Sequence, residues 1–409
     1  MKKYFGILFV VYVSFVLSCN IPISIDKQIP EPLPVLCAKD SSLIKSDNTF
    51  GFKLFKKILE KDKSSNIFIS PLSVSMALGM TYNGSRGETK EQMKSCLELS
   101  DLSDQEINDS YKRLLDFYNR VDTKIKLSIA NSIWYRLDFN VEQDFINLNK
   151  QYFNAEVKAL DFTKAISVST INNWVSNATN SKISNIIQSI NPLDVMFLIN
   201  AIYFKGIWTY QFDSKNTTDA DFSCENGNVV KCKMMHRSGR CNIMINQLFK
   251  AAELDYGNHS YSMVVILPHS FVSIDSVIFI LSSTNWNNLT DSLLPDSGDI
   301  YIPKFKLEYE LSLISTLQAL GMVNAFSPQL ADFTGISSSS EIYISEVKHK
   351  TFVEVNEEGT EAAAVTSVTI SSDSLPKPLI RADRPFIFAI REKKSGGILF
   401  IGKIGEPKI

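Results

Sequence analysis

Apolar residues recur along this chain at two different spacings, and the change from one to the other divides it by type of element. Between Thr49 and Glu60, Phe52, Phe55, Ile58 and Leu59 fall on one face of a 3.6-residue period, which predicts an opening amphipathic helix. Ile67-Phe68-Ile69, ended by Ser70-Pro71, is too short for a helix and reads as a buried strand. Ser73–Tyr82 is dominated by Met, Ala and Leu and stops at Asn83-Gly84, the signature of a buried helix. Glu88–Leu97, Ser103–Tyr118, Asp144–Tyr152 and Val168–Thr179 read as further helices, with a loosely alternating strand at Ile125–Trp134. From Met196 onward the runs shorten. Strands are predicted at Met196–Phe204, Lys231–Met235, Asn242–Asn246, Phe249–Asp255, Met263–Pro268, Ile300–Phe305 and Ile342–Val355. Phe386–Arg391 and Gly397–Lys403 close the chain as a hairpin-like pair. Helices fill the first half and strands the second, with no repeat and no linker between them, so the class is α+β in one domain.

One segment, Glu357–Ser374, contradicts its own surroundings. Read with period two, one face carries Thr360, Ala362, Ala364, Thr366, Val368 and Ile370, all small or apolar. From Ala362 there is no Gly, Pro or charge until Asp373, so the stretch could lie as a buried central strand. Yet Asp373, Pro376, Pro378, Arg381, Asp383 and Pro385 follow, which is how an exposed connection is composed. A segment fit for burial in a position that demands exposure implies a chain with two states.

Composition narrows the function. The chain has 409 residues, 44% hydrophobic and 21% charged, with a net charge of −2. Nothing in that balance attracts nucleic acid or an acidic membrane surface. Four histidines stand apart, without HExxH or CxxC, and GxSxG, GxxxxGK[ST] and GxGxxG are absent. No metal, cofactor or hydrolytic machinery is therefore expected. Lys2 and Lys3 followed by the apolar run Tyr4–Leu17 read as a secretory signal, too short to span a bilayer. Val16-Leu17-Ser18-Cys19 also resembles the lipobox of bacterial lipoproteins, leaving two readings: a signal peptide (1–19) that happens to end in cysteine, or lipidation at Cys19. Residues 20–47, with Pro22, Pro30, Pro32 and Pro34, read as an extended tether before a domain at 48–409. Five cysteines remain after Cys19, at wide spacings, so no disulfide framework is implied.

Four segments in order carry a resemblance. Asn66–Ser73 (NIFISPLS), Asn200–Trp208 (NAIYFKGIW), Val353–Ala364 (VEVNEEGTEAAA), and Arg384–Phe388 (RPFIF) with Gly402-Lys403 resemble the signatures of the serpin family, and the match runs from about Asn48 to Lys408. The resemblance implies three β-sheets, eight or nine helices and an exposed reactive loop, 357–378, whose hinge is Glu357, Gly359, Thr360, Ala362, Ala363 and Ala364. It assigns a hydrogen-bonded shutter to Ser70, Ser73, Asn200 and His349. Trp208 and a Glu357–Lys304 ion pair would guard the breach where insertion starts. The function implied is suicide inhibition of a serine, or cysteine, endopeptidase by a secreted monomer, tethered to a cell envelope only if Cys19 carries lipid. A carrier, chaperone or storage protein on the same fold is the alternative. Counting from Gly359 puts the reactive bond at Asp373–Ser374; counting back from Pro385 gives Ser374–Leu375, and cleavage near Val368-Thr369 or Ser372 also stays open.

Overall fold

The opening helix begins well before the apolar repeat that predicts it. In the computed structural model, which describes residues 32–191, 194–338, 342–360 and 378–408, α1 spans Ala38–Lys61. Its first turns are polar but pinned. The Cys37 amide donates to Asp40 Oδ2 at 2.8 Å, and Arg113 grips the same carboxylate through Nε at 3.0 Å and Nη2 at 2.8 Å. Asp40 and Asp47 are both buried. Residues 38–47 thus belong to the folded unit, which runs from Leu33, and not to the tether expected over 20–47. Cys19 lies outside the described residues, as do Ala362, Ala363, Ala364, Asp373 and Ser374.

Three more helices complete the first layer: α2 (Pro71–Tyr82), α3 (Gly87–Cys96) and α4 (Asp104–Arg120). Ser70 caps α2, its Oγ accepting from the Ser73 amide at 3.2 Å, and Pro71 supplies the fixed φ that a first turn favours. Every residue of α2 but Ala77 is buried, because sheets lie on both sides of it.

The strands, in chain order, are β1 (Asn66–Ile69), β2 (Lys126–Arg136), β3 (Glu156–Leu160), β4 (Met196–Ile207), β5 (Thr218–Ser223), β6 (Val229–Ile245), β7 (Phe249–Tyr256), β8 (Tyr261–Pro268), β9 (Leu294–Pro303), β10 (Phe305–Ser312), β11 (Lys348–Val355), β12 (Gly359–Thr360), β13 (Leu379–Arg381), β14 (Phe386–Glu392) and β15 (Ile398–Ile404). One sheet has the order β10-β11-β12-β4-β2-β3; the other runs β1-β15-β14-β8-β7-β6-β9-β13, with β5 on β6. With nine α-helices among the described residues the class is α+β. Two of the three sheets that the resemblance implies are fused by β6, which pairs with β5 at one end and β7 at the other.

Three expected boundaries shift. The strands predicted at Lys231–Met235 and Asn242–Asn246 are one, because the polar run His236–Arg240 between them pairs with β9 throughout. The strand predicted at Ile300–Phe305 breaks at Lys304, where the chain leaves one sheet for the other. The strand expected from Ile342 starts only at Lys348, since residues 342–347 lie beside the lower part of β4 without joining it. Strands β3 and β5 and the helices Ile274–Ile280, Ser283–Asp291 and Ile314–Ala319 were not signalled by periodicity.

Candidate functional site

The six-stranded sheet is parted. β12 is antiparallel to both β4 and β11, so those two run parallel to each other with, among the described residues, only Gly359 and Thr360 between them. Thr360 faces Val355 on one side and Gly206 on the other; Gly359 faces Ile207. Among the described residues no backbone pair joins β4 directly to β11. These two positions had been expected in an exposed loop, yet both are buried strand. Gly359 is required here: its φ is +154°, and a Cβ would meet the Gly206 carbonyl oxygen at 2.0 Å. Thr360 turns inward, its Oγ1 lying 2.7 Å from the hydroxyl of Tyr256.

Above this short strand the chain is held at several points. Trp208 donates through Nε1 to the Asn356 carbonyl at 2.9 Å and through its amide to the Glu358 carbonyl at 2.8 Å. Its indole stacks on Tyr256 with ring centres 4.2 Å apart. Lys304 Nζ lies 2.8 Å from Glu357 Oε2, while Thr217 donates to Oε1 at 2.8 Å. Desolvation pushes the Glu357 carboxyl up, but the bonds from Lys304, its own amide and Thr217 outweigh it and hold the pKa below the usual value. The breach residues expected from sequence meet around one turn of chain.

Below Thr360 the gap is spanned by side chains. Ser73 Oγ donates to Asn200 Oδ1, and Ser70 Oγ accepts from the Ser73 amide while donating to the Leu399 carbonyl at 2.7 Å. The Ser70 amide donates to His349 Nε2 at 3.0 Å. The chain Asn200–Ser73–Ser70–His349 thereby ties β4 to β11 through the start of α2, and all four expected shutter residues are in it. With Nε2 accepting, a neutral His349 carries its proton on Nδ1; burial lowers its pKa to about 4. Beside the network lies a cavity of about 130 Å³ between Val195–Asn200 and Ile342–His349, floored by α2.

A model of the Serpin (serine protease inhibitor) family matches residues 45–407. The chain belongs to the serpin family. Among curated relatives, a leukocyte elastase inhibitor from Xenopus laevis is 34% identical over 369 residues, covering 88% of this chain and 97% of the relative. Human Serpin B8 is 35% identical over 373 residues, covering 89% and 99%. Among solved structures, the native state of tengpin, a thermophilic serpin, superposes with a TM-score of 0.82 at 34% identity, over 92% of this chain and 96% of that one. Human thyroxine-binding globulin gives 0.83 at 28% identity, over 91% and 100%. The family description and these relatives are those of protease inhibitors, not of enzymes.

Several residues of the serpin site escaped the sequence reading. Asn131, opposite Asn200 across the β2–β4 register, accepts from Asn200 Nδ2 and itself donates to the Phe153 carbonyl at 2.7 Å. Thr351 bolts β11 to β1 through the Phe68 carbonyl at 2.6 Å. Thr217, Asn356 and Tyr256 complete the breach. Asn131 carried a signal that went unread, an amide inside a strand whose neighbours pack inward.

Proposed function

We propose that this serpin traps serine endopeptidases by inserting its cleaved reactive loop between β4 and β11. The observation that carries the reading is β12: the first two residues of the inserted strand are seated, and below them the sheet has no ladder to break among the described residues. Continued residue by residue, the pairing of Thr360 with Gly206 and Val355 would set Thr366 opposite both Asn200 and His349. In that register Ala362, Ala364 and Thr366 would share the inward face of Thr360, and each is small enough to be buried there. The free edge of β4 extends to Met196, which that register matches with Ile370. About ten new backbone hydrogen bonds at ~0.5–1.5 kcal/mol each give roughly 5–15 kcal/mol, comparable with the stability of a whole domain. The uninserted form is then a kinetic trap.

In this mechanism the protease attacks the Asp373 carbonyl and the Ser374 amine leaves, so the acyl-enzyme hangs on the freed strand. Insertion carries it along the sheet and distorts its site before water can deacylate it. Asp373 would suit a protease with a basic specificity pocket. A carrier role has some support in the likeness to thyroxine-binding globulin. The apolar start of the chain supports export, and mass spectrometry of the mature N-terminus would read whether Cys19 carries lipid. Mixing with serine proteases, including one that cuts after aspartate, should yield a complex that survives boiling in detergent. Clean cleavage without a complex by every protease tried would remove the inhibitory reading in favour of the carrier.

A further inference from the structure

On the nine-stranded sheet lies a second cleft of about 460 Å³, lined by Tyr210, Arg237, Arg240, Asp255, His259 and Asp296 among others. Arg237, in β6, is 8% exposed, and among the described residues no carboxylate pairs with it. Its Nη1 donates to the Arg240 carbonyl at 3.1 Å, but its Nε has no acceptor among the described residues. The rings of Tyr210 and Phe212, at 5.8 and 5.7 Å, attract the cation without accepting that N–H in the plane of the guanidinium.

The acids of the cleft are otherwise engaged. Glu253 receives Arg391 Nη2 at 2.7 Å, Asn242 Nδ2 at 2.8 Å and Lys393 Nζ at 3.3 Å. Asp255 receives Lys393 at 2.7 Å and His259 Nδ1 at 2.7 Å. Asp296, on the exposed rim, accepts from the Ser297 amide at 2.7 Å. A guanidinium stays protonated at neutral pH; Asp255 acts on it only through space, with no ion pair between them among the described residues, and burying the cation is costly unless something completes it. Its planar fork of N–H groups matches a carboxylate or a phosphate.

We propose that this cleft is a binding site for a small oxyanion, a carboxylate- or phosphate-bearing molecule seated on the Arg237 guanidinium. Phe212 touches both sides of this region, its ring 5.7 Å from the Arg237 guanidinium and 6.2 Å from the Trp208 indole. The site stands independently of loop insertion, since binding is measured without any protease.

Calorimetric titration of the full protein with citrate and with inorganic phosphate, against sodium chloride at equal ionic strength, tests it. Saturable binding of at least one of the two is expected, weakened tenfold or more in Arg237→Met, and the tighter of the two names the ligand's chemistry. Binding of neither, or equal binding by Arg237→Met, overturns the proposal. Should that variant fail to fold, crystals of the unaltered protein soaked in selenate decide the matter. An anomalous peak at Arg237 supports the site, and peaks only elsewhere, or none, sink it.

Discussion

The two sheets of this molecule treat their strands differently. In the nine-stranded sheet β14 lies between β15 and β8, paired along both edges, and every residue of all three is buried. In the six-stranded sheet β4 pairs with β2 over ten residues on one edge, but on the other, among the described residues, it meets only Gly359 and Thr360. In the first sheet β14 has no strand edge left to pair. The second keeps most of one strand edge in reserve, with polar side chains and a cavity standing in for a ladder. Stability that could be held by backbone pairing is withheld between β4 and β11, and that is where the proposed insertion would occur.

The largest test of this contrast is to cut the loop. Cleavage between Val368 and Leu375 by a protease that is not itself trapped should raise the melting temperature by roughly 10–30 °C, given ~5–15 kcal/mol gained and a few degrees per kcal/mol. Unchanged melting after the cut would mean that β4 and β11 do not accept a strand. The other sheet should respond in the opposite manner. Phe388→Ala, deep against Phe68 and Phe305 at 5.5 and 5.4 Å, should lower stability by about 3–5 kcal/mol in cut and uncut protein alike. Asn200→Ala should cost about 1–3 kcal/mol in the uncut form alone, by orphaning the Ser73 hydroxyl and the Asn131 amide oxygen. Its signature is faster spontaneous conversion to the heat-resistant form, followed on native gels at elevated temperature. Equal losses before and after cutting would assign Asn200 to ordinary packing.

What sequence conveyed follows the same division. The strands β8, β14 and β15 of the nine-stranded sheet were legible as short apolar runs, because burial on both faces writes the same residue types along each of them. Shutter and breach were legible only through resemblance to a family; as residues, Ser70, Asn200 and Lys304 are unremarkable. The early turns of α1 were hidden because what pins them is polar: Asp40 and Asp47 are buried and hydrogen-bonded, which an apolar repeat does not report. The seated position of Gly359 and Thr360 could not be read from pattern at all. It depends on the balance between two arrangements of one sequence, and the alternation of Thr360, Ala362 and Ala364 is compatible with both.

Acid separates the two regions most finely. Burial raises the Asp47 carboxyl, in the helical layer, to about 7, against the bonds from Ser75 and Tyr111 that favour its charged form, and lowers the His349 imidazole, in the gap, to about 4. Asp47 binds its proton more readily folded than unfolded, so its contribution to stability grows as pH falls from about 7 toward the ordinary 3.8. His349 does the reverse: the unfolded chain takes up the proton first, so stability is lost as pH falls from 6.5 toward about 4. The slopes oppose, and denaturant midpoints of the unaltered protein should change little from these two groups between pH 6.5 and 4.5. Asp47→Asn should uncover a loss with acid, and His349→Gln a gain. Only the imidazole faces the parted strands, where a proton on Nε2 would replace the acceptor of the Ser70 amide with a second donor. Spontaneous insertion should therefore quicken below pH 6 in the unaltered protein and in Asp47→Asn but not in His349→Gln. Acid acceleration persisting in His349→Gln would move the pH sensitivity out of the gap.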